Sequence, residues 1–122
     1  MNQTESREDY LETILLLTKR NGYVRSIDIA NELNYSKASI SRAVGILKAN
    51  NYINVDENGQ ITFTGMGLQR AEEIYERHRN IKKFLMTALG VCPETAEADA
   101  CKIEHILSTE TYNKIKEYTE KI

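Results

Sequence analysis

The chain has 122 residues, a net charge of −2, 41% hydrophobic and 28% charged residues, no Trp and two Phe. This is the balance of a soluble globular protein, long enough for one compact domain or for a small domain with a dimerisation arm. No run reaches the ~20 apolar residues of a membrane span. The opening MNQTESREDY has neither the basic nor the apolar stretch of a secretory signal, so the cytoplasm is the expected location. The two cysteines, Cys92 and Cys101, form no CxxC pair, and no structural disulfide is expected.

In chain order, a first helix is expected from roughly Glu5 to Arg20, with Tyr10, Leu11, Ile14, Leu15 and Leu17 as its apolar stripe and Asn21-Gly22 as its stop. SIDIANEL follows, with Ser26 as N-cap and Ile27, Ala30 and Leu33 at helical spacing. After a turn at Asn34-Tyr35, Ser36 caps a third helix to about Asn50, in which Ile40, Val44 and Leu47 face inward. Residues 52–55 and 61–64 alternate apolar and polar side chains around an Asn58-Gly59 turn, the pattern of a β-hairpin. A long helix then runs to about Leu89 and is broken by Gly90. Pro93 opens another at about 93–107, and Ser108 or Thr109 caps the last. The class is mainly α, and the order of helix, helix-turn-helix and hairpin over 1–64 is that of a winged helix-turn-helix module.

The charge is unevenly distributed. Lys19, Arg20, Arg25, Lys37, Arg42 and Lys48 face only Asp28 and Glu32 in the same stretch. In a helix-turn-helix the second helix enters the major groove with its N-terminal residues at base edges. Ser36, Lys37, Ser39, Ser41 and Arg42 hold those positions, with Arg25 near by. Arg42 suits guanine or phosphate, Lys37 phosphate, and the small serines allow close approach. The bland alternative is two packed helices of a bundle. Asp56 and Glu57 at the hairpin tip repel phosphate, so the wing is expected to be structural or to touch DNA only through Asn58 and backbone.

Six further side chains in helical segments have donor chemistry: Asp9, Glu12, His78, Cys101, Glu104 and His105. Cys101, Glu104 and His105 at i, i+3, i+4 share one helix face and present thiolate, carboxylate and imidazole, donors for a divalent transition metal. From spacing alone, a small buried Cys and an ordinary Glu-His pair are the commoner explanation. A lone His78 is more often a surface or satisfied core residue, and Cys92 before Pro93 is a cap-region residue rather than a ligand.

EDYLETILLL, SIDIANELNYSKASISRAV, ITFTGMGLQRAEEIYERHRNIKKFL and ACKIEHILS, in this order over nearly the whole chain, resemble the diphtheria-toxin-repressor family of metal-dependent regulators. They are most similar to its short manganese-transport-regulator branch, without the SH3-like domain of longer members. The resemblance implies that Asp9, Glu12, His78, Cys101, Glu104 and His105 are primary metal ligands. It also implies that 65–122 is a metal-binding and dimerisation domain, and that the protein is a homodimer repressing metal-uptake genes on a pseudo-palindromic operator. Manganese-responsive members carry glutamate at the position of Cys101, whereas iron-responsive members carry cysteine there and methionine at the position of Asp9. The pattern is a hybrid and leaves Mn²⁺ and Fe²⁺, at one or two per subunit, both open. The positions that form an ancillary site in iron-responsive members are Lys82 and Glu97 here, so that site is expected to be absent or changed.

The expected function is a metal-dependent repressor. Metal held by donors from both halves would set the distance between two recognition helices, which must match major grooves ~34 Å apart. The rivals are a metal-independent winged-helix regulator, a small metalloenzyme, which lacks an identifiable general base, and a dimeric adaptor that binds no DNA.

Overall fold

A computed structural model describes residues 3–121 of the chain. Two compact units divide it, Met1–Glu72 and Glu73–Ile122. Among the described residues no helix is long and apolar enough to cross a membrane.

The first unit begins with α1 (Gln3–Asn21), followed by α2 (Ser26–Leu33), α3 (Lys37–Ala49) and the antiparallel pair β1 (Ile53–Val55) and β2 (Ile61–Phe63). α1 packs against both α2 and α3. The expected stripe of α1 is buried through Leu11, Ile14, Leu15 and Leu17, and it meets a core that includes Val24, Ile29, Ile40, Leu47, Ile53 and Ile61. Burying such a side chain contributes about 1.5–3 kcal/mol, so these aliphatic groups supply what the missing tryptophans do not. Ser26 is not the cap of α2. Arg25 holds that place in extended backbone, and Asp28 Oδ2 accepts its N–H at 2.9 Å. Ser36 caps α3 as expected, its Oγ accepting the Ser39 N–H at 3.2 Å. Asn34 closes α2 in the left-handed region at φ 57°, which Asn tolerates better than most residues.

The hairpin pairs Ile53 with Phe63, Asn54 with Thr62 and Val55 with Ile61. The main chain also ties it to the helices, because Ile61 N–H donates to the Val24 carbonyl at 2.7 Å. At its tip Asp56 Oδ1 accepts the N–H groups of Asn58 and Gln60 at 2.9 and 2.8 Å. Asp56, one of the two acidic residues that made the wing look hostile to DNA, is therefore a turn former.

α4 (Gly65–Ala88) starts in the first unit and continues into the second. The Thr64 hydroxyl accepts the Gly67 N–H at 3.0 Å and donates to the Asn51 carbonyl at 2.6 Å. Gly67 lies so close to the hairpin that a Cβ there would sit 1.8 Å from the Tyr52 carbonyl oxygen. Only glycine permits that approach.

In the second unit α4 is followed by α5 (Pro93–Ile103) and α6 (Thr109–Glu120). Ile81, Leu85, Ala96 and Ala100 form the core, flanked by Phe84, Met86, Val91, Ile103, Leu107 and Tyr112. Gly90 at φ 70° breaks the chain after α4, Pro93 stands at the start of α5, and the Ser108 hydroxyl caps α6 by accepting the Thr111 N–H at 3.1 Å. Arg77 donates to the Leu107 carbonyl and lies over the Tyr112 ring, whose hydroxyl accepts from Asn80. α5 is shorter than expected and ends at Ile103.

Candidate metal centre and nucleic-acid interface

The first unit exposes every side chain expected to read DNA: Arg25, Ser36, Lys37, Ser39, Ser41 and Arg42 are all exposed, while Ile40 and Leu47 on the opposite side of α3 are buried. This division follows from helical periodicity. Ser36 and Ser39 do not both point outward freely, because their hydroxyls are 2.9 Å apart and Ser36 is committed to the cap. Ser41 and Lys37 line a hollow of about 340 Å³ with Ser26, Ile27 and Ile40. The surface expected to face DNA is therefore polar and cationic around an apolar floor.

Asp9 and Glu12 also belong to the first unit, on α1, with Asp9 half-buried and Glu12 at 8% exposure. The other four proposed donors belong to the second unit. One donor atom from each of His78, Cys101 and Glu104 lies within 4.8 Å of the others. Cys101 is exposed, whereas the side chains of His78 and Glu104 are 5% and 1% exposed. His78 Nδ1 is 2.9 Å from Glu104 Oε2, and His105 Nε2 is 3.4 Å from Glu104 Oε1. Glu104 thus stands between the two histidines.

Cys101, Glu104 and His105 do not share one regular helix. Glu104 is the C-cap of α5 and His105 lies in the turn that follows, where the N–H groups of His105 and Ile106 reach back only three residues, to the carbonyls of Lys102 and Ile103. Tightening of this kind is common at helix ends. It leaves Cys101 and Glu104 on the face that i, i+3 spacing predicts, and it carries His105 against the other side of the Glu104 carboxylate.

The donor set fits a divalent transition metal on chemistry and on burial. Thiolate and imidazole favour borderline metals, and carboxylate adds affinity for harder ones. Glu104 Oε1 is buried and accepts no hydrogen bond. A buried carboxylate with unused lone pairs is costly, and a cation relieves that cost. Cys92 joins no such group among the described residues. It is exposed and lies 3.2 Å from the Thr95 hydroxyl, which holds its thiol below the usual range.

Two residues at this centre were not expected to contribute. Glu97 Oε2 lies 3.0 Å from His78 Nε2 and 3.0 Å from Lys82 Nζ. Burial pushes the Glu97 carboxyl upward, but His78 and Lys82 outweigh it and hold the group below the ordinary carboxylate range. The spacing that finds these residues was present in the chain. His78 and Lys82 are i, i+4 on α4, and Glu97 and Cys101 are i, i+4 on α5.

Comparison with known proteins covers both units. Residues 2–60 match the iron dependent repressor N-terminal DNA binding domain, and residues 64–122 match the iron dependent repressor metal binding and dimerisation domain. An uncharacterised HTH-type transcriptional regulator of Methanocaldococcus jannaschii is 35% identical over 97% of this chain and 95% of its own. The HTH-type transcriptional regulator MntR of Listeria monocytogenes is 34% identical over 92% of this chain and 78% of its own. Among solved structures, IdeR of T. acidophilum matches 91% of this chain at 27% identity with a TM-score of 0.81. The manganese regulator SloR matches 93% at 25% identity, also with a TM-score of 0.81. The chain spans about half the length of these two structures, 52% and 53%.

Proposed function

Because the chain belongs to the iron-dependent repressor family, we propose that its regulatory metal is held by His78, Cys101, Glu104 and His105, with Asp9 and Glu12 supplying further donors. The protein is a metal-dependent, DNA-binding repressor of metal-homeostasis genes that works as a dimer on operator DNA, and it is not an enzyme. Its cofactor is a divalent metal ion of the kind this family uses. The observation that carries the assignment of residues is the convergence of His78, Cys101 and Glu104 within 4.8 Å in the second unit. For Asp9 and Glu12 the support is their position in the resemblance and the burial of Glu12.

The bound ion supplies positive charge and a fixed coordination geometry. Glu104 Oε2 is hydrogen-bonded to His78 Nδ1 at 2.9 Å and its Oε1 lies 3.4 Å from His105 Nε2, so the three side chains are already gathered. Asp9 and Glu12 belong to α1, which packs on both helices of the DNA-reading module. A change in the charge around them therefore acts directly on the element that positions α3. Arg25, Lys37, Ser39, Ser41 and Arg42 carry the DNA contact, with Ser36 contributing its cap. We assign 1–64 to DNA binding and 65–122 to metal binding and dimerisation. Leu89, Ile106 and Tyr118, at 63%, 74% and 47% exposure, are side chains that a second copy would cover. The reading places the protein in the cytoplasm, with the operator.

Cys101 and Asp9 support opposite metals, so the test compares them directly. Operator affinity of the full chain is measured with Mn²⁺, Fe²⁺, Co²⁺ and Zn²⁺ side by side. Tightening with Mn²⁺ or Fe²⁺ is expected, and no change with any metal would leave a metal-independent regulator. Tight Zn²⁺ binding alone would not identify the physiological ion, since affinity rises along the series from Mn²⁺.

A further inference from the structure

Beyond the six donors, Glu97 meets His78 at the nitrogen that does not face Glu104, and Lys82 meets Glu97 in turn. Its Nδ1 is 2.9 Å from Glu104 Oε2, and its Nε2 is 3.0 Å from Glu97 Oε2. The same Glu97 oxygen is 3.0 Å from Lys82 Nζ. Glu97 and Lys82 are much more open than the imidazole, at 52% and 34% side-chain exposure against 5%. The charged pair therefore lies at the rim of a centre whose histidine is buried.

An imidazole has two distinct nitrogens, and the hydrogen bond at one decides which is free to ligate. Ligating histidines almost always donate their other ring N–H to a carboxylate, a carbonyl or water. Here Nδ1 is the nitrogen turned to the Glu104 side, which leaves Nε2 for Glu97. Nε2 and Glu97 are at hydrogen-bond distance without full alignment, as such contacts often are before the bound species arrives. Lys82 fixes the carboxylate from its other side. It also offsets the negative charge, so that Glu97 would have to surrender its ammonium partner to become a ligand itself.

We propose that Glu97, braced by Lys82, is a positioning residue that aims His78 Nδ1 into the Cys101–Glu104 donor set. Metal affinity is then set by a Lys82–Glu97–His78 relay as well as by the donors. This rests on the metal reading given above.

Magnitudes separate the roles of the two residues. Loss of a carboxylate that supports a ligating histidine costs about 10–100-fold in metal affinity. A partly exposed ion pair contributes about 0–1 kcal/mol, at most about fivefold. The test uses the full chain with Glu97→Ala, Glu97→Gln and Lys82→Met, read by Mn²⁺ calorimetry and by the visible absorption spectrum of the Co²⁺ form, with circular dichroism as a check on folding. Glu97→Ala is expected to weaken Mn²⁺ binding about 10–100-fold and to alter the Co²⁺ bands. Glu97→Gln, which keeps an acceptor for the Nε2 proton, is expected to restore most of the affinity and the parent spectrum. Lys82→Met is expected to weaken binding by at most about fivefold.

If Glu97→Ala keeps the parent affinity and spectrum, the relay does not exist. If Glu97→Gln loses as much as Glu97→Ala, Glu97 is a ligand and not a positioning residue. Either result leaves the metal reading standing. That reading fails separately if the parent binds no metal, or if His78→Ala leaves binding undisturbed.

Discussion

Buried donors and exposed donors contribute differently at this centre. His78 and Glu104 are enclosed, and Glu104 Oε1 has lone pairs that nothing hydrogen-bonds; Cys101 is open to solvent. Proton competition should therefore be visible in binding. Imidazole must lose its proton and the thiol must ionise before either can ligate, and free imidazole is protonated below about pH 6.5. Metal affinity is expected to fall between pH 7.5 and pH 5.5, and calorimetry giving equal values would count against His78, His105 and Cys101. His78→Ala should remove the metal response while far-UV circular dichroism stays unchanged. The residue types of this site were legible in the chain, and so was the spacing of Cys101 and Glu104. The role of His78 was not legible, because a single histidine in a helix has no local partner to identify it. Lys82 and Glu97 were recognised only as positions of an ancillary site expected to be absent or changed. Their contact with each other joins α4 to α5 across 15 residues of sequence (82 to 97), and the contact of Glu97 with His78 joins the same two helices, both beyond the reach of any helical period.

At the scale of elements, the hairpin and the start of α4 form one joint. Tyr52 presents its carbonyl oxygen to Gly67, and Thr64 links the Asn51 carbonyl to the first turn of α4. A methyl at residue 67 would overlap the Tyr52 backbone, which cannot move aside as a flexible side chain could. Gly67→Ala is expected to destabilise the protein by about 1–3 kcal/mol or more, the usual cost of overpacking; a urea melt with an unchanged midpoint would contradict this. α3 gives a test of a different kind. Arg42 is exposed on the helix that carries the cap serine. If it contacts phosphate, Arg42→Ala should weaken binding across all sequences and lower the salt slope by about 1; if it contacts guanine, the loss should fall on one base position and amount to about 1–3 kcal/mol. Binding to operator variants at several salt concentrations separates the two, and no loss at all would remove Arg42 from the interface. The elements themselves were mostly readable, since period and punctuation are local. The exceptions are equally local in cause. Arg25 in place of Ser26 caps α2 because Asp28 accepts its N–H, and α5 ends early because its last turn tightens at Glu104.

For the whole molecule the decisive quantity is the coupling between metal and DNA. Coupling of about 1–3 kcal/mol corresponds to about 5–150-fold, and thermodynamic linkage makes it reciprocal. Operator DNA must therefore raise metal affinity by the same factor by which metal raises operator affinity. Titrating Mn²⁺ with and without a saturating operator duplex checks this, and an affinity unaffected by DNA would mean that the two sites are not coupled. The sequence by itself determined the helix-turn-helix, the wing and the order of the helices, because each is written in short-range spacing and residue chemistry; the six candidate donors came from the resemblance to a known family. Only the tertiary structure decided that Glu104 stands between His78 and His105, that Glu97 meets both His78 and Lys82, and that Gly67 meets Tyr52. Periodicity specifies which face a side chain occupies. Which faces meet is settled by long-range packing of apolar groups, and no local pattern encodes that.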